Sequence, residues 1–399
     1  MKILMINSVC GVGSTGRICT DIADMAVGAG HECKIAYGRG IVPDEYKKYA
    51  VRIGNDFDVK LHALKTRFFD AHGGGSAAAT RRFIEWVKEY DPDVIHLHNI
   101  HGYYINLKIL FSYLRTCKKR IIWTLHDCWA FTGHCAHFTA AACDGWKSGC
   151  GKCPQKREYP SCLVFGNSAK NYAQKKALFT GIPDMTLTAP SHWLAARAKE
   201  SFLSCYEIKV IYNGIDFDIF KPTESDFRKE HNIAENEKML LGAAGTWSEK
   251  KGFSDFIKLG EAIGKGYRIV MAGVSDRQAE AVPESIVCTP KTGSMTELAA
   301  IYSAADIFLN LSREEAMGLV IPEALACGTP VIVYDNTAMP EIISAECGAV
   351  VPTGDIGALC DKIKKMACNP PSAGVCMARA AEFEKNKKFH EYILMYENE

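Results

Sequence analysis

A chain of 399 residues, 48% hydrophobic, 10% aromatic and 23% charged, has the composition of a globular protein of two or three domains, which excludes global disorder. Its formal net charge of +1 hides a division: through Ile215 there are 28 Lys+Arg against 18 Asp+Glu, and beyond it 19 against 28. The most apolar stretch, 318–334, is interrupted by Pro322, Glu323 and Pro330, so a spanning helix is excluded.

The chain opens with a strand pattern over 2–7, whose four apolar residues before Asn7 are too few for the core of a secretion signal. A cytoplasmic location is expected. A glycine-rich turn, a helix over 15–29 and a strand over 31–37 follow, the rhythm of a parallel sheet. Further strands are expected at 93–98, 120–125, 185–189 and 208–212, with helices at 77–90, 107–117 and 191–201 between them. The small run 73–79 reads as a mobile loop. A second parallel sheet is expected from strands at 239–244, 268–272, 285–288, 307–310 and 331–334, separated by helices at 253–263, 295–303 and 322–326. Asn213-Gly214-Ile215-Asp216 has turn chemistry and Lys221-Pro222 marks a break, so the division falls between 213 and 222. The expected domains are 1–215 and 216–377, with a last helix over 378–399, after Asn369-Pro370-Pro371, returning to the first domain.

Cys10-Gly11-Val12-Gly13-Ser14-Thr15-Gly16-Arg17 follows the first strand and opens a helix, where backbone N–H groups favour an anion. Gly13 and Arg17 are the candidates there, and a glycine turn serving only strand-to-helix geometry is the alternative. The next strand ends in Tyr37-Gly38-Arg39-Gly40, without the ribose-binding acid of a dinucleotide site, so an NAD-type cofactor is disfavoured. Later, Ser312 to Val333 reads strand end, glycine loop, helix, glycine stop and strand in order. Pro322 suits the first helical turn and Gly328 its exit, leaving the N–H groups of Gly318, Leu319 and Val320 to meet an anion. Glu315 and Glu323 lie on either side of that point, suited to gripping hydroxyls. Ordinary first-turn charge complementation is the alternative. The pairs Asp56/Asp58, Asp91/Asp93 and Asp216/Asp218 sit at helix starts or turns and read as structural.

Glu315-x7-Glu323, with Gly318-Leu319 and Ala324-Leu325-Ala326-Cys327-Gly328-Thr329-Pro330-Val331, resembles the signature of the retaining family-four glycosyltransferases of the GT-B fold. The resemblance extends to Ala189-Pro190-Ser191-His192-Trp193-Leu194, Val210-Ile211-Tyr212-Asn213-Gly214-Ile215-Asp216 and Glu249-Lys250-Lys251-Gly252. Within that family, the segments from His96 to Tyr104 and from Thr124 to Gly133 look like bacterial enzymes that assemble surface polysaccharides. The resemblance implies an α/β chain of two Rossmann-like parallel-sheet domains facing across a cleft. The second domain would hold a nucleotide-sugar donor, UDP- or GDP-hexose, and the first a saccharide acceptor, lipid-linked. It implies that Glu315 contacts donor-sugar hydroxyls, Glu323 the nucleotide ribose and Lys251 the diphosphate, and that His126 faces the transferred sugar. The family usually carries an arginine where Thr246 follows Gly245, so neutralisation of the diphosphate would rest on Lys251, Lys250 or Arg17. Retention in this fold is thought to let the leaving diphosphate assist the incoming hydroxyl, so no cofactor is required for catalysis.

His98, Asn99, Tyr103 and Tyr104 are acceptor-side candidates, with His96 and His98 expected to line the cleft through hydrogen bonds. The basic first half suits a phosphorylated acceptor or the anionic inner face of a membrane, with peripheral, electrostatic attachment, and solvated surface lysines are the alternative. No basic–aromatic stripe or helix-turn-helix pattern supports nucleic acid as a partner. Six of the 17 cysteines fall within 128–162. Cys135, Cys143, Cys150 and Cys153 have the composition of a structural zinc site, with His134 and His137 as substitutes, in a loop otherwise without a core. Metal-free thiols are the alternative. A nucleotide-sugar epimerase of the same fold and a degenerate binding scaffold are the rival functions.

Overall fold

The computed structural model describes residues 1–397. Among the described residues two wholly parallel sheets form, of seven and six strands. The chain divides into a first unit, Met1–Tyr212 with the stretch from Lys388 onward, and a second, Asn213–Lys387.

The first unit's strands are β1 (Lys2–Asn7), β2 (Glu32–Tyr37), β3 (Ala50–Arg52), β4 (Val94–Leu97), β5 (Arg120–Thr124), β6 (Met185–Ala189) and β7 (Ile208–Val210). They lie in the order β3-β2-β1-β4-β5-β6-β7, so the winding reverses between β1 and β4. In the second unit, β8 (Lys238–Ala243), β9 (Tyr267–Ala272), β10 (Ile286–Thr289), β11 (Ile307–Asn310), β12 (Val331–Tyr334) and β13 (Gly348–Val351) lie in the order β10-β9-β8-β11-β12-β13. Here the reversal falls between β8 and β11. Every residue of β4, β11 and β12 is buried, as expected of strands covered on both faces.

Several segments depart from the sequence expectation. β3 and β13 are too short and half-exposed to show a strand pattern. The single last helix is two, Ala373–Ala380 and Lys385–Glu397. Between them the chain passes through Phe383 and extended Glu384, where Ile215 N–H donates to Phe383 O at 2.8 Å and Lys385 N–H to Ile215 O at 2.9 Å. Gly214 permits this approach, because a Cβ there would stand 2.4 Å from Lys385 Cα. Another is the run 73–79. Gly73 and Gly75 N–H both donate to His62 Nε2 at 3.1 Å, and Asn106 Nδ2 donates to Gly75 O at 3.0 Å. The loop is therefore anchored by hydrogen bonds, and its last residues open the helix Ala77–Tyr90.

The core of the first unit is partly polar. His96 on β4 is wholly buried rather than lining a cleft, with Nδ1 2.6 Å from the Tyr396 hydroxyl and Nε2 2.7 Å from Thr124 Oγ1. Thr124 also hydrogen-bonds Thr188 at 2.6 Å and donates to the Tyr392 hydroxyl at 3.1 Å. These bonds dock the helix Lys385–Glu397 onto β4, β5 and β6. Burial pushes the imidazoles down: His62 to about 4, with the Lys65 charge assisting, and His96 to about 3. His72 and His98 are held well below the ordinary range for the same reason.

Two outcomes follow. As pH falls from 6.5 towards about 4, the unfolded chain protonates at each of these histidines before the folded unit does. Stability should therefore drop with acidification, by up to about 1.4 kcal/mol per pH unit for each. Thermal melts from pH 7.5 to 4.5 should show a steep loss that is shallower in His62→Gln, and a flat profile would contradict it. Gly38→Ala would put a Cβ 2.0 Å from Tyr104 Cβ. It should cost at least about 1–3 kcal/mol, read from urea denaturation.

Candidate functional site

In open parallel sheets, ligands bind beyond the carboxyl ends of strands where the winding reverses. In the second unit that point lies after β8 and β11. Beyond β8 the chain makes a short 3-10 turn, Glu249–Lys251, closed by Gly252 at φ +77°. A Cβ at Gly252 would stand 2.5 Å from Leu311 O, so the turn packs directly on the segment leaving β11. Arg313 N–H donates to Lys250 O at 2.8 Å. Three ion pairs result: Lys250 with Glu314 at 3.0 Å, Arg313 with Asp255 at 2.7 Å, and Lys251 Nζ with Glu315 Oε1. The Glu315 N–H donates to Thr337 Oγ1 at 3.0 Å, which holds that end of the loop.

Gly318, at φ +83°, turns the chain into the helix Val320–Ala326, where Ile321 N–H donates to Gly318 O at 2.9 Å and Glu323 N–H to Leu319 O at 3.1 Å. Asn310, ending β11, accepts from Ser312 N–H at 3.1 Å. Its buried Nδ2 has no hydrogen-bond partner among the described residues and stands 3.5 Å from where a Cβ of Gly318 would be. Glu323 is buried in the first helical turn and accepts from the Tyr302 hydroxyl at 3.2 Å. The structure thus brings Lys250, Lys251, Glu315 and Gly318 together, with Leu319, Val320 and Glu323 directly after them. Thr246 stands exposed in the loop after β8, its hydroxyl donating to Gly245 O at 2.8 Å.

In the first unit, Gly11 and Gly13 adopt φ +71° and +65° between β1 and the helix Gly13–Gly28. No acidic residue occupies that helix's first turn, and Arg17 is half-exposed there. Asn7 links this loop to the end of β4, its Nδ2 donating to Val9 O at 2.8 Å and its Oδ1 accepting from Asn99 N–H at 3.2 Å. His98 Nδ1 lies 3.0 Å from His126 Nε2. Burial pushes His126 down to about 4 against the opposing charge of Asp127, so its imidazole is neutral at pH 7. Tyr104 is buried, its hydroxyl donating to Asn99 O at 2.8 Å. It braces Asn99. Tyr103, at φ +69°, stays half-exposed against the rings of His62, His72 and Tyr159.

A further constellation was not anticipated. His101 is held between Asp127 Oδ2 and the Tyr159 hydroxyl, both at 2.9 Å. Burial opposes the charge on Asp127, but His101 and the Trp129 N–H outweigh it and hold the carboxyl at about 2. A carboxylate orienting an imidazole that reaches a third polar group is the arrangement of acid–base chains. Asp127, adjacent to His126, was the available signal. Tyr159 lies 58 residues from His101, and no spacing connects them.

The cysteine-rich insert has a core of its own. Phe131, Phe138 and Trp146 pack with ring centroids 4.6–6.3 Å apart. Lys175 donates to Trp129 O at 2.6 Å and Thr132 O at 3.0 Å, and lies 3.5 Å from the Trp129 ring centre. Burial holds that lysine at about 7. His134 pairs with buried Asp70 at 2.6 Å. Cys135 and Cys153 share a hydrogen bond that raises the first thiol and lowers the second, while Cys150 accepts from Gly133 N–H at 3.1 Å. Among the described residues no group of three or more His, Cys, Asp or Glu is placed to hold a metal ion. The four-thiolate set of Cys135, Cys143, Cys150 and Cys153 is not assembled.

Two family models match the chain: Glycosyltransferase Family 4 over residues 15–219 and Glycosyl transferases group 1 over 223–388. The Escherichia coli (strain K12) protein WcaC, assigned to colanic acid biosynthesis as a glycosyl transferase, is 25% identical over the full length of both chains. Sucrose-phosphate synthase from Thermosynechococcus elongatus superposes with a TM-score of 0.72 at 17% identity, covering 99% of this chain and 98% of that one. Anabaena HepE in complex with UDP and glucose does so at 0.67 and 15%, with the same coverage. The two parallel-sheet units are those of the GT-B fold, and the chain belongs to Glycosyltransferase Family 4.

Proposed function

We propose that this glycosyltransferase moves a hexose from a UDP- or GDP-hexose to a lipid-linked saccharide in the assembly of a bacterial surface polysaccharide, with retention of anomeric configuration. The observation that carries the reading is the convergence of Lys251 and Glu315 beside the Gly318 turn. A cation, a hydroxyl-binding carboxylate and a glycine turn into a helix are what a sugar diphosphate needs in adjacent places. The colanic acid assignment of WcaC and the UDP and glucose bound to HepE support the product and donor classes.

In this reading the donor diphosphate takes over Lys251, freeing Glu315 to accept from sugar hydroxyls, and Glu323 takes the ribose. The bond between the anomeric carbon and the diphosphate oxygen breaks, and one to the acceptor oxygen forms on the same face. The acceptor's proton passes to the leaving diphosphate. His126, neutral, hydrogen-bonds the sugar without adding a positive charge that would oppose an oxocarbenium-like centre. Lys250 supplements Lys251 where Thr246 stands in place of an arginine. No helix among the described residues is long and apolar enough to cross a membrane. With the basic first half, this supports a cytoplasmic protein held at the inner membrane face.

UDP-glucose or GDP-mannose, tested in parallel, should raise the melting temperature of the purified chain, since a ligand of the folded state stabilises it by mass action. No shift with any nucleotide sugar would overturn the donor site. Glu315→Ala should lower transfer by about a hundredfold or more, and Lys251→Ala should weaken the donor-induced shift. Full turnover in Glu315→Ala would refute the assignment, and an inverted product in the NMR anomeric signal would refute retention.

A further inference from the structure

The helix Asp56–Phe69 is inside out. Its buried residues are His62 and Thr66, whereas Phe57, Leu61, Leu64, Phe68 and Phe69 stand 47–71% exposed. The first four recur at intervals of four, three and four residues, which aligns them as one outward stripe. A second segment completes the surface. Leu163, Val164 and Phe165 of the cysteine-rich insert are also exposed, at 44–63%. They are clamped to the helix end, with Leu163 N–H donating to Arg67 O at 2.8 Å and Phe165 N–H to Phe68 O at 3.0 Å. The Phe165 and Phe69 rings stack with centroids 6.1 Å apart. These eight are half of the sixteen large hydrophobic residues exposed among the described residues. Patches of this kind mark interaction sites.

The charges around the stripe select its occupant. Lys60, Lys65 and Arg67 are exposed on the same helix; its two carboxylates sit in the first turn, Asp56 paired with Arg52 and Asp58 accepting from Asn55 N–H, and the chain through Ile215 carries ten more cationic than acidic residues. A second copy would bring these cations against their own kind. An apolar stripe flanked by lysine and arginine matches an anionic bilayer surface, where the rings enter the headgroup boundary and the cations meet phosphate. The opposite face of the same helix points toward the acceptor-side residues: His62 packs edge-on against Tyr103 at 6.0 Å and receives the Gly73 and Gly75 N–H groups.

The geometry points to a membrane-docking face made by the helix Asp56–Phe69 and Leu163–Val164–Phe165, inserted into an anionic leaflet beside the acceptor-side residues. It deepens the transferase reading and rests on it only for the purpose of docking. Attachment is then partly apolar, not electrostatic alone, and salt removes only part of it.

The test is co-sedimentation of the full chain with phosphatidylcholine vesicles containing 30% phosphatidylglycerol, at 0.1 and 0.5 M NaCl. The comparison is the triple variant Phe57→Gln, Leu61→Gln, Leu64→Gln. Wild type should bind at low salt and retain a measurable fraction at high salt, and the variant should bind at least about tenfold more weakly. The melting temperature and the donor-induced thermal shift should stay unchanged in the variant, because these side chains are exposed. Equal binding of variant and wild type overturns the proposal, as does complete loss of wild-type binding at 0.5 M NaCl. A wild-type dimer made monomeric by the triple substitution, with vesicle binding unchanged, assigns the face to a second copy and also overturns it. Vesicle binding without any nucleotide-sugar shift leaves the docking face standing and sinks the transferase reading, so the two failures are distinguishable.

Discussion

An imidazole buried in a parallel sheet must find partners for its ring nitrogens or cost the desolvation of a polar group, and much of the first unit is arranged around meeting that demand. His96 is satisfied on one side by a tyrosine of the last helix and on the other by a threonine of β5. Its ring lies 4.0 Å from that of His98, which reaches His126. The element that completes the core therefore also sets the floor beneath the strand ends. Because the sheet is parallel, those ends gather on one edge, and the loops leaving them carry Asn99, His101, Tyr103 and Asp127.

The second unit meets its demand differently. Its strand ends hold opposite charges in pairs: cations from the turn after β8 face carboxylates from beyond β11, and Arg313 from beyond β11 faces Asp255. In the first unit the carboxylate of Asp127 is held by a histidine among hydrogen-bonded side chains, whereas the second unit's pairs join lysine or arginine to carboxylates. That contrast suits a division between recognising hydroxyls and recognising a charged diphosphate.

Periodicity made the long elements legible. β1, β2 and the helix at 77–90 have apolar patterns set by burial on the sheet, and the glycine and proline stops from Gly318 to Pro330 mark a helix that the structure contains. The helix Asp56–Phe69 could not be read the same way, because its buried face is polar and its apolar face is outside. The insert looked coreless because its aromatic residues are irregularly spaced, and its cysteines drew attention from Phe131, Phe138 and Trp146. Glu315 and Glu323 were visible as a spacing, whereas their partners Lys251 and Tyr302 came from a family resemblance and from the structure respectively. The chain from Tyr159 through His101 to Asp127 joins three loops, and such contacts leave no mark in local sequence.

The return of the last helix to the first unit has a consequence during synthesis. The segment through Tyr212 leaves the ribosome first, yet His96 and Thr124 lack their tyrosine partners until Tyr392 and Tyr396 emerge. At about 5–20 residues per second, that interval is on the order of 10–40 s. The N-terminal unit, first to be made, is the last to be finished, and its half-built polar core is exposed to chaperones and proteases while the other unit folds.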